Sequence, residues 1–310
     1  MKKDRHKKEV ESFYDDVAKR LKPSKQIGSK SLSAWKRGPH LFVEEYINNN
    51  IKDHSKILDA ACGDAFLSLE IMKYAKNIRL YGIDISEPFL LLAKENASKM
   101  GLEEHTSFIK GDIENIDFPD KKFDLMICFG SLSYVDYEKV FHEANRLLND
   151  HGEFIIIDTL GHNPILNLNR RIKLAAGRKI PKQVSNILKI EDFKNIENLF
   201  SEVEYHYFDF LTLLMSPLGS NYETASSRIC GLLREVDNVI FKSKFLRKLA
   251  FKVVCIARRP IYDWFHMKNR KKINEAKLFY KQLILDENES NPHLSFSEYC
   301  YQNNLERTED

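Results

Sequence analysis

Three carboxylates and a run of small residues stand at the ends of short apolar segments in this 310-residue chain. In Lys56-Ile-Leu-Asp-Ala-Ala-Cys-Gly-Asp-Ala-Phe66, Asp59 closes an apolar run, a turn containing Ala61 and Gly63 follows, and a helical pattern begins. A strand, a tight turn and a helix N-terminus in that order can present backbone N–H groups to a ligand, and glycine lets the backbone approach closely. The next apolar run, Arg79-Leu-Tyr-Gly-Ile-Asp-Ile-Ser86, places Asp84 about 20 residues beyond the turn, where a carboxylate can accept hydrogen bonds from both hydroxyls of a ribose. Asp112, in Lys110-Gly-Asp-Ile-Glu114, follows a third run; it could meet an adenine amine or form an ordinary Asx turn. Phe129-Gly-Ser-Leu-Ser133 opens after a fourth run, either as room for a ligand or as a plain strand-end loop. Together these four positions describe a nucleoside-holding crevice along one sheet edge.

Such a crevice needs parallel strands ending side by side. The chain supplies the pattern, with strands expected at 56–62, 79–85, 106–110, 123–129 and 153–159 and helices at 66–75, 87–100 and 136–148. Phe123-Asp-Leu-Met-Ile-Cys-Phe129 and Glu153-Phe-Ile-Ile-Ile157 are short apolar runs of the kind buried on both faces, and helices of crossover length separate them. Pro88 just inside a helix start and Gly101 just past its end punctuate the second helix. Before this region, residues 8–20 carry Val10, Phe13, Tyr14 and Val17 on one helical face, 21–38 are looser, and 40–50 are helical again. After it come a basic, mostly helical insertion at 161–200, a strand at 203–211, a helical insertion at 213–250 and a strand at 251–257. Residues 261–310 read as a helical tail. The organisation expected is a helical lid over 1–54, an α/β domain over 55–260 and the tail.

Composition excludes several classes. With 43% hydrophobic and 30% charged residues the chain can bury a core, and a net charge of +3 gives no global reason to bind nucleic acid. The five cysteines are scattered without a Cys-x-x-Cys pair, which argues against a disulfide scaffold or zinc site and fits a reduced, cytoplasmic setting. The basic N-terminus is followed by charge, not by an apolar run, so no secretory signal is expected, and no segment is apolar enough to span a membrane.

The order and spacing of these motifs resemble the class I S-adenosylmethionine (SAM)-dependent methyltransferases, in particular the branch with the ubiquinone/menaquinone-type small-molecule enzymes. Leu58-Asp-Ala-Ala-Cys-Gly-Asp-Ala65 resembles that family's glycine-rich loop, Tyr81-Gly-Ile-Asp-Ile-Ser86 its second motif, and Gly111-Asp-Ile113 and Phe123–Cys128 its third and fourth. Leu147-Leu-Asn-Asp-His-Gly-Glu-Phe154 resembles its approach to the fifth strand. The resemblance implies a Rossmann-like class I methyltransferase sheet, mostly parallel with an antiparallel final strand, plus helical insertions. It implies SAM as cofactor, with Asp59, Ala61 and Gly63 at the methionine moiety and Asp84 on the ribose. Ile85, Asp112 and Ile113 would flank adenine, and Phe129 and Gly130 would close the pocket. Phe13-Tyr14-Asp15 resembles a short cofactor-covering helix, so Tyr14 is a lid contact or a core residue. Two family glycines are alanines here, Ala61 and Ala65, and the histidine often found after the fourth strand is absent from Leu132-Ser-Tyr-Val-Asp136.

Methyl transfer from a sulfonium is an in-line displacement that proximity can accelerate, so a base is required only for nucleophiles that must lose a proton early. Tyr134, His162, Tyr205 and His206 are the candidates, with His162 favoured because it follows the fifth strand in Asp158-Thr-Leu-Gly-His-Asn-Pro164. No Asn-Pro-Pro-Tyr, Asp-Pro-Pro-Tyr or Pro-Cys follows the fourth strand, and no metal-spaced acids stand out. The basic stretch 167–182 reads as a solvated helix or as a substrate lid meeting phosphate, carboxylate or an anionic membrane surface. The apolar segments around 213–217 and 229–233 could shape an acceptor pocket or a homodimer face. The expected acceptor is a small molecule, amphipathic or anionic, such as a lipid-linked or glycan intermediate. Rival readings are an RNA or protein methyltransferase and a non-catalytic SAM-binding subunit.

Overall fold

The computed structural model describes residues 2–20, 38–74, 76–176, 186–213 and 225–261. The looser stretch after the first helix, residues 177–185 of the basic insertion, residues 214–224 of the second insertion and the tail expectation lie outside the described residues.

Seven strands build one sheet: β1 (Lys56–Ala60), β2 (Arg79–Asp84), β3 (Thr106–Lys110), β4 (Phe123–Phe129), β5 (Leu148–Thr159), β6 (Phe200–Phe208) and β7 (Lys252–Pro260). Their order is β3-β2-β1-β4-β5-β7-β6. All pairs from β3 to β5 are parallel, and β7 runs antiparallel to both β5 and β6. The mostly parallel sheet with an antiparallel final strand is thus the observed fold. Around it lie α1 (Lys2–Arg20), α2 (Gly38–Asn50), α3 (Phe66–Ile71), α4 (Glu87–Lys99), α5 (Tyr137–Leu147), α6 (Pro164–Ala175) and α7 (Ala225–Ile240).

Strand alternation explains the layers. Leu58, Met126, Cys128, Phe154, Ile156, Val253 and Cys255 point to one face, where Val140, Phe141, Ala144 and Leu147 of α5 cover them. Ile57, Leu125, Ile127, Ile155, Ile157, Val254 and Ile256 point to the other, against Val43 and Ile47 of α2 and Leu90, Ala93 and Ala97 of α4. Each strand has apolar side chains on both faces, as a doubly covered parallel sheet requires. Gly82 shows how tight the packing is: a Cβ there would sit 2.6 Å from the Phe108 ring and 2.8 Å from the Cys62 sulfur.

Boundaries move where local conformation overrides periodicity. The strand expected at 203–211 runs over Phe200–Phe208, because Asp209 takes a left-handed φ of 66° and breaks the extended run. Residue 200 therefore leaves the basic insertion. The described part of that insertion contains α6 and a 3-10 segment, Ile190–Asn198. β5 begins at Leu148, five residues before the expected 153, with a register shift between Phe123 and Leu125. α1 starts at Lys2, six residues before the expected 8.

Candidate functional site

The carboxyl ends of β1, β2, β3 and β4 meet at a cavity, and most of the expected cofactor residues line it. Ala61 and Gly63 come from the turn after β1, Asp84 and Ile85 from the end of β2, Asp112 and Ile113 from after β3, and Phe129 and Gly130 from the end of β4. Tyr14 reaches it from α1.

The turn has the shape of a glycine loop without all its glycines. Ala61, Gly63 and Ala65 have φ of 62°, 53° and 53°, so both alanines occupy the left-handed region where a Cβ is disfavoured. The Gly63 N–H donates to an Asp84 carboxylate oxygen at 2.8 Å, and the other oxygen accepts the Ser86 N–H at 2.9 Å. The loop after β1 is thereby tied to the end of β2. Gly130, at φ 74°, donates its N–H to the Ile157 carbonyl at 2.7 Å, and no atom lies within 4 Å of where its Cβ would be.

Negative charge collects under this loop. Burial pushes the Asp59 carboxyl up to about 7; the Ser68 hydroxyl opposes that rise, and the nearby charges of Asp84 and Asp64 add to it. Burial also raises Asp64, and raises Asp84 against the pull of the N–H groups of Ser86 and Gly63. Three crowded, desolvated carboxylates favour a ligand that brings positive charge. Asp59 does this from beneath. It is 5% exposed and lies beneath the Ala61–Gly63 turn that lines the cavity. The cause is strand alternation: Asp59 lies within β1, one residue before the chain turns into the loop.

α1 closes the opposite side. Lys7, Val10 and Tyr14 lie on one helical face and line the cavity. The Tyr14 ring packs edge-on against Tyr134 at 5.1 Å and Phe89 at 6.1 Å, and burial together with Tyr134 raises its hydroxyl far above the usual range. Tyr14 is therefore both cavity wall and packing residue. Lys7 bonds Asp112 and sits 3.2 Å from Glu114; burial works against its charge, but these partners hold its pKa above the ordinary lysine value. Ser86 Oγ donates to Asp15 at 2.6 Å, Lys110 pairs with Glu11 at 2.6 Å, and the His6 ring meets the Tyr134 carbonyl at 3.1 Å. Lys7, Phe89, Glu114, Ser131 and Val135 are lining residues not singled out from sequence. Extending the Val10–Tyr14 spacing back by one turn would have reached Lys7.

The base candidates separate. His162, favoured from sequence, is not a cavity residue. Its Nε2 accepts the Ile190 N–H at 3.0 Å and lies 3.1 Å from Glu191, while burial lowers its pKa. It ties the stretch after β5 to the 3-10 segment. Tyr205 donates to Glu197 at 2.9 Å, and His206 stacks on Phe42 at 4.3 Å, both away from the cavity. Tyr134 does line it, with burial pushing its hydroxyl up to about 12, so it is a neutral phenol near pH 7. Cys128 is fully buried beside Ser131 at 3.2 Å, as core. Among the described residues, no group of three His, Cys, Asp or Glu side chains could hold a metal ion, and no helix is long and apolar enough to cross a membrane.

A family model described as a methyltransferase domain matches residues 51–215. The C-methyltransferase UbiE of ubiquinone/menaquinone biosynthesis from Rickettsia bellii is 34% identical over 123 residues, 38% of this chain and 50% of that protein. Demethylmenaquinone methyltransferase from Thermus thermophilus is 33% identical over 108 residues, 34% of this chain and 48% of that protein. The chain thus spans about half the length of the curated relatives it matches. Geranyl diphosphate C-methyltransferase from Streptomyces coelicolor A3(2), solved with Mg2+, geranyl diphosphate and S-adenosyl-L-homocysteine, superposes with a TM-score of 0.53 over 72% of this chain and 80% of that one. At 15% identity this likeness shows the fold.

Proposed function

We propose, from the premise that the chain belongs to the methyltransferase-domain family matched over residues 51–215, that it transfers a methyl group from SAM to a small-molecule acceptor. The observation that carries this reading is the cavity where Asp84, the left-handed Ala61–Gly63 turn, Asp112–Ile113 and Phe129–Gly130 converge above crowded carboxylates. When bound, SAM supplies a methyl group on a positively charged sulfur, which an electron-rich acceptor atom can take by in-line displacement.

The residues present fit that group. Asp84 would accept the ribose hydroxyls on lone pairs left by its two backbone donors. Ile85 and Ile113 would flank the adenine, and Asp112 would accept its amine once Lys7 yields or shares that carboxylate. Ala61 and Gly63 offer backbone to the methionine chain, and the buried charge of Asp59, Asp64 and Asp84 favours its cationic end. Phe129, Gly130 and Tyr14 exclude water from the reacting side. Tyr134, neutral at pH 7, orients an acceptor by hydrogen bonding and does not deprotonate it. Transfer to carbon, with the carbon's proton passing to solvent after the new C–C bond forms, matches the Rickettsia bellii relative, a C-methyltransferase by name.

The finer features belong to the same reading. The acceptor is amphipathic or anionic. α1 acts as the lid on the domain, while α2 belongs to the layer that covers the sheet. Four described cysteines, Cys62, Cys128, Cys230 and Cys255, are buried free thiols, as suits a reduced, cytoplasmic compartment. The test is incubation with methyl-labelled SAM and separate lipid and aqueous extracts. Label in a small lipid-soluble product supports the reading. Label only in RNA or protein would replace it with a macromolecular acceptor, and cofactor binding without any transfer would favour a non-catalytic subunit.

A further inference from the structure

The outward face of α7 is apolar. Ile229, Leu232, Val236 and Val239 recur at helical spacing, with Leu232 70% and Val239 64% exposed. The inward face is already engaged: Cys230 and Asp237 are buried, and the Asp237 carboxylate accepts the N–H groups of Phe210 and Leu211 at 3.1 and 2.9 Å. Just past the helix the chain turns and presents Phe245, 80% exposed, with Lys242, Lys244 and Lys248 around it. Lys242 and Lys244 have no ion pair among the described residues. On α6, Leu168 and Ile172 are also more than half exposed, beside exposed Arg171 and Lys173. α6 leaves the carboxyl end of β5, and α7 with its turn joins β6 to β7, so these faces arise at the sheet edge where the cavity opens.

We propose that the α7 stripe and the Phe245 turn form a docking face for an anionic lipid bilayer, with Phe245 among the acyl chains and Lys242 and Lys244 against lipid phosphates. Contiguous exposed apolar side chains of this kind mark a contact site. An apolar stripe ending in a lysine-flanked aromatic suits an interface with apolar depth and negative charge above it. Charge complementarity selects this occupant: Lys242 and Lys244 flank the exposed Phe245 and carry no ion pair among the described residues. A two-fold dimer through the same face would set these cations against their own copies. The docking face is separate from the cavity and does not rest on the methyl-transfer reading.

The experiment is co-sedimentation of the full chain with vesicles of phosphatidylcholine alone or mixed with phosphatidylglycerol. Binding is expected only to the phosphatidylglycerol mixture. Phe245→Ser should weaken it roughly tenfold, and replacing Lys242 or Lys244 by Gln about fivefold each, with circular dichroism unchanged. Absence of binding to either vesicle, or binding that all these variants leave intact, would overturn the proposal. So would a dimer in analytical ultracentrifugation that Leu232→Ser dissociates, since a second copy would then own the face.

Discussion

Ala61 and Ala65 hold a left-handed backbone of the kind that favours glycine, and the two positions should respond differently to its introduction. Left-handed φ costs an alanine about 1–2 kcal/mol, and the greater freedom of glycine in the unfolded chain takes back about 0.4–1 kcal/mol. Ala61 borders the cavity, so Ala61→Gly is expected to stabilise the fold by about 0.5–1 kcal/mol in urea denaturation. Ala65 is 1% exposed, and losing its buried methyl costs about 0.8 kcal/mol, so Ala65→Gly should be close to neutral. Asp59 sets a pH dependence. Its folded pKa of about 7 lies above the ordinary 3.8, so between these values the folded state binds more protons than the unfolded one. Stability therefore falls as pH rises from about 4 to about 7, by on the order of 4 kcal/mol for a shift of about three pH units. Asp59→Asn should flatten that slope in urea midpoints measured across the range. A cationic ligand favours the ionised carboxylate, so SAM affinity of the unmodified protein should rise from pH 5.5 to 7.5.

Elements decide which chemically suggestive residues reach the site. His162 follows β5 as expected, yet its ring is consumed in holding the 3-10 segment by accepting the Ile190 N–H. His162→Ala should destabilise the protein by about 1–2 kcal/mol, the cost of leaving that donor unpaired, while the methyl-transfer rate stays within about twofold. A large loss of rate without loss of stability would return His162 to the chemistry. Tyr134 reaches the cavity instead, because the short 3-10 turn Leu132–Tyr134 folds back from the end of β4. α1 is seated by Val10 and the Tyr14 ring and is further tied by partly exposed pairs, Lys7 with Asp112 and Glu114 and Glu11 with Lys110. Salt screens such pairs, so amide exchange along residues 8–20 should accelerate between low salt and about 1 M NaCl while the central strands stay protected. The carboxylates at strand ends were legible in sequence because their spacing repeats with the βαβ unit. Lys7 and the burial of Asp59 were not, since both depend on how α1 and the loop pack in three dimensions.

At the scale of the molecule, the parallel half of the sheet was legible almost strand by strand, because buried runs such as Phe123–Phe129 are too short for a helix and are bounded by turn residues. The antiparallel half was legible in kind but not in register: Asp209 ends β6 early through a backbone conformation that alternation does not encode. The site followed the same division. The turns after the first four strands and Tyr14 of α1 meet in one cavity, as the motif spacing implies, whereas Asp59 lies beneath it and Lys7 carries no motif of its own. What unites the two halves is a single edge that carries the cavity, the covering helix α1 and the insertions α6 and α7. The most direct measurement is isothermal titration of the full chain with SAM, alongside the Asp84→Ala variant. Binding at one site, weakened at least tenfold in the variant, is the expected result. No binding to the unmodified protein, or equal binding by both, would contradict the assignment of this cavity to the cofactor.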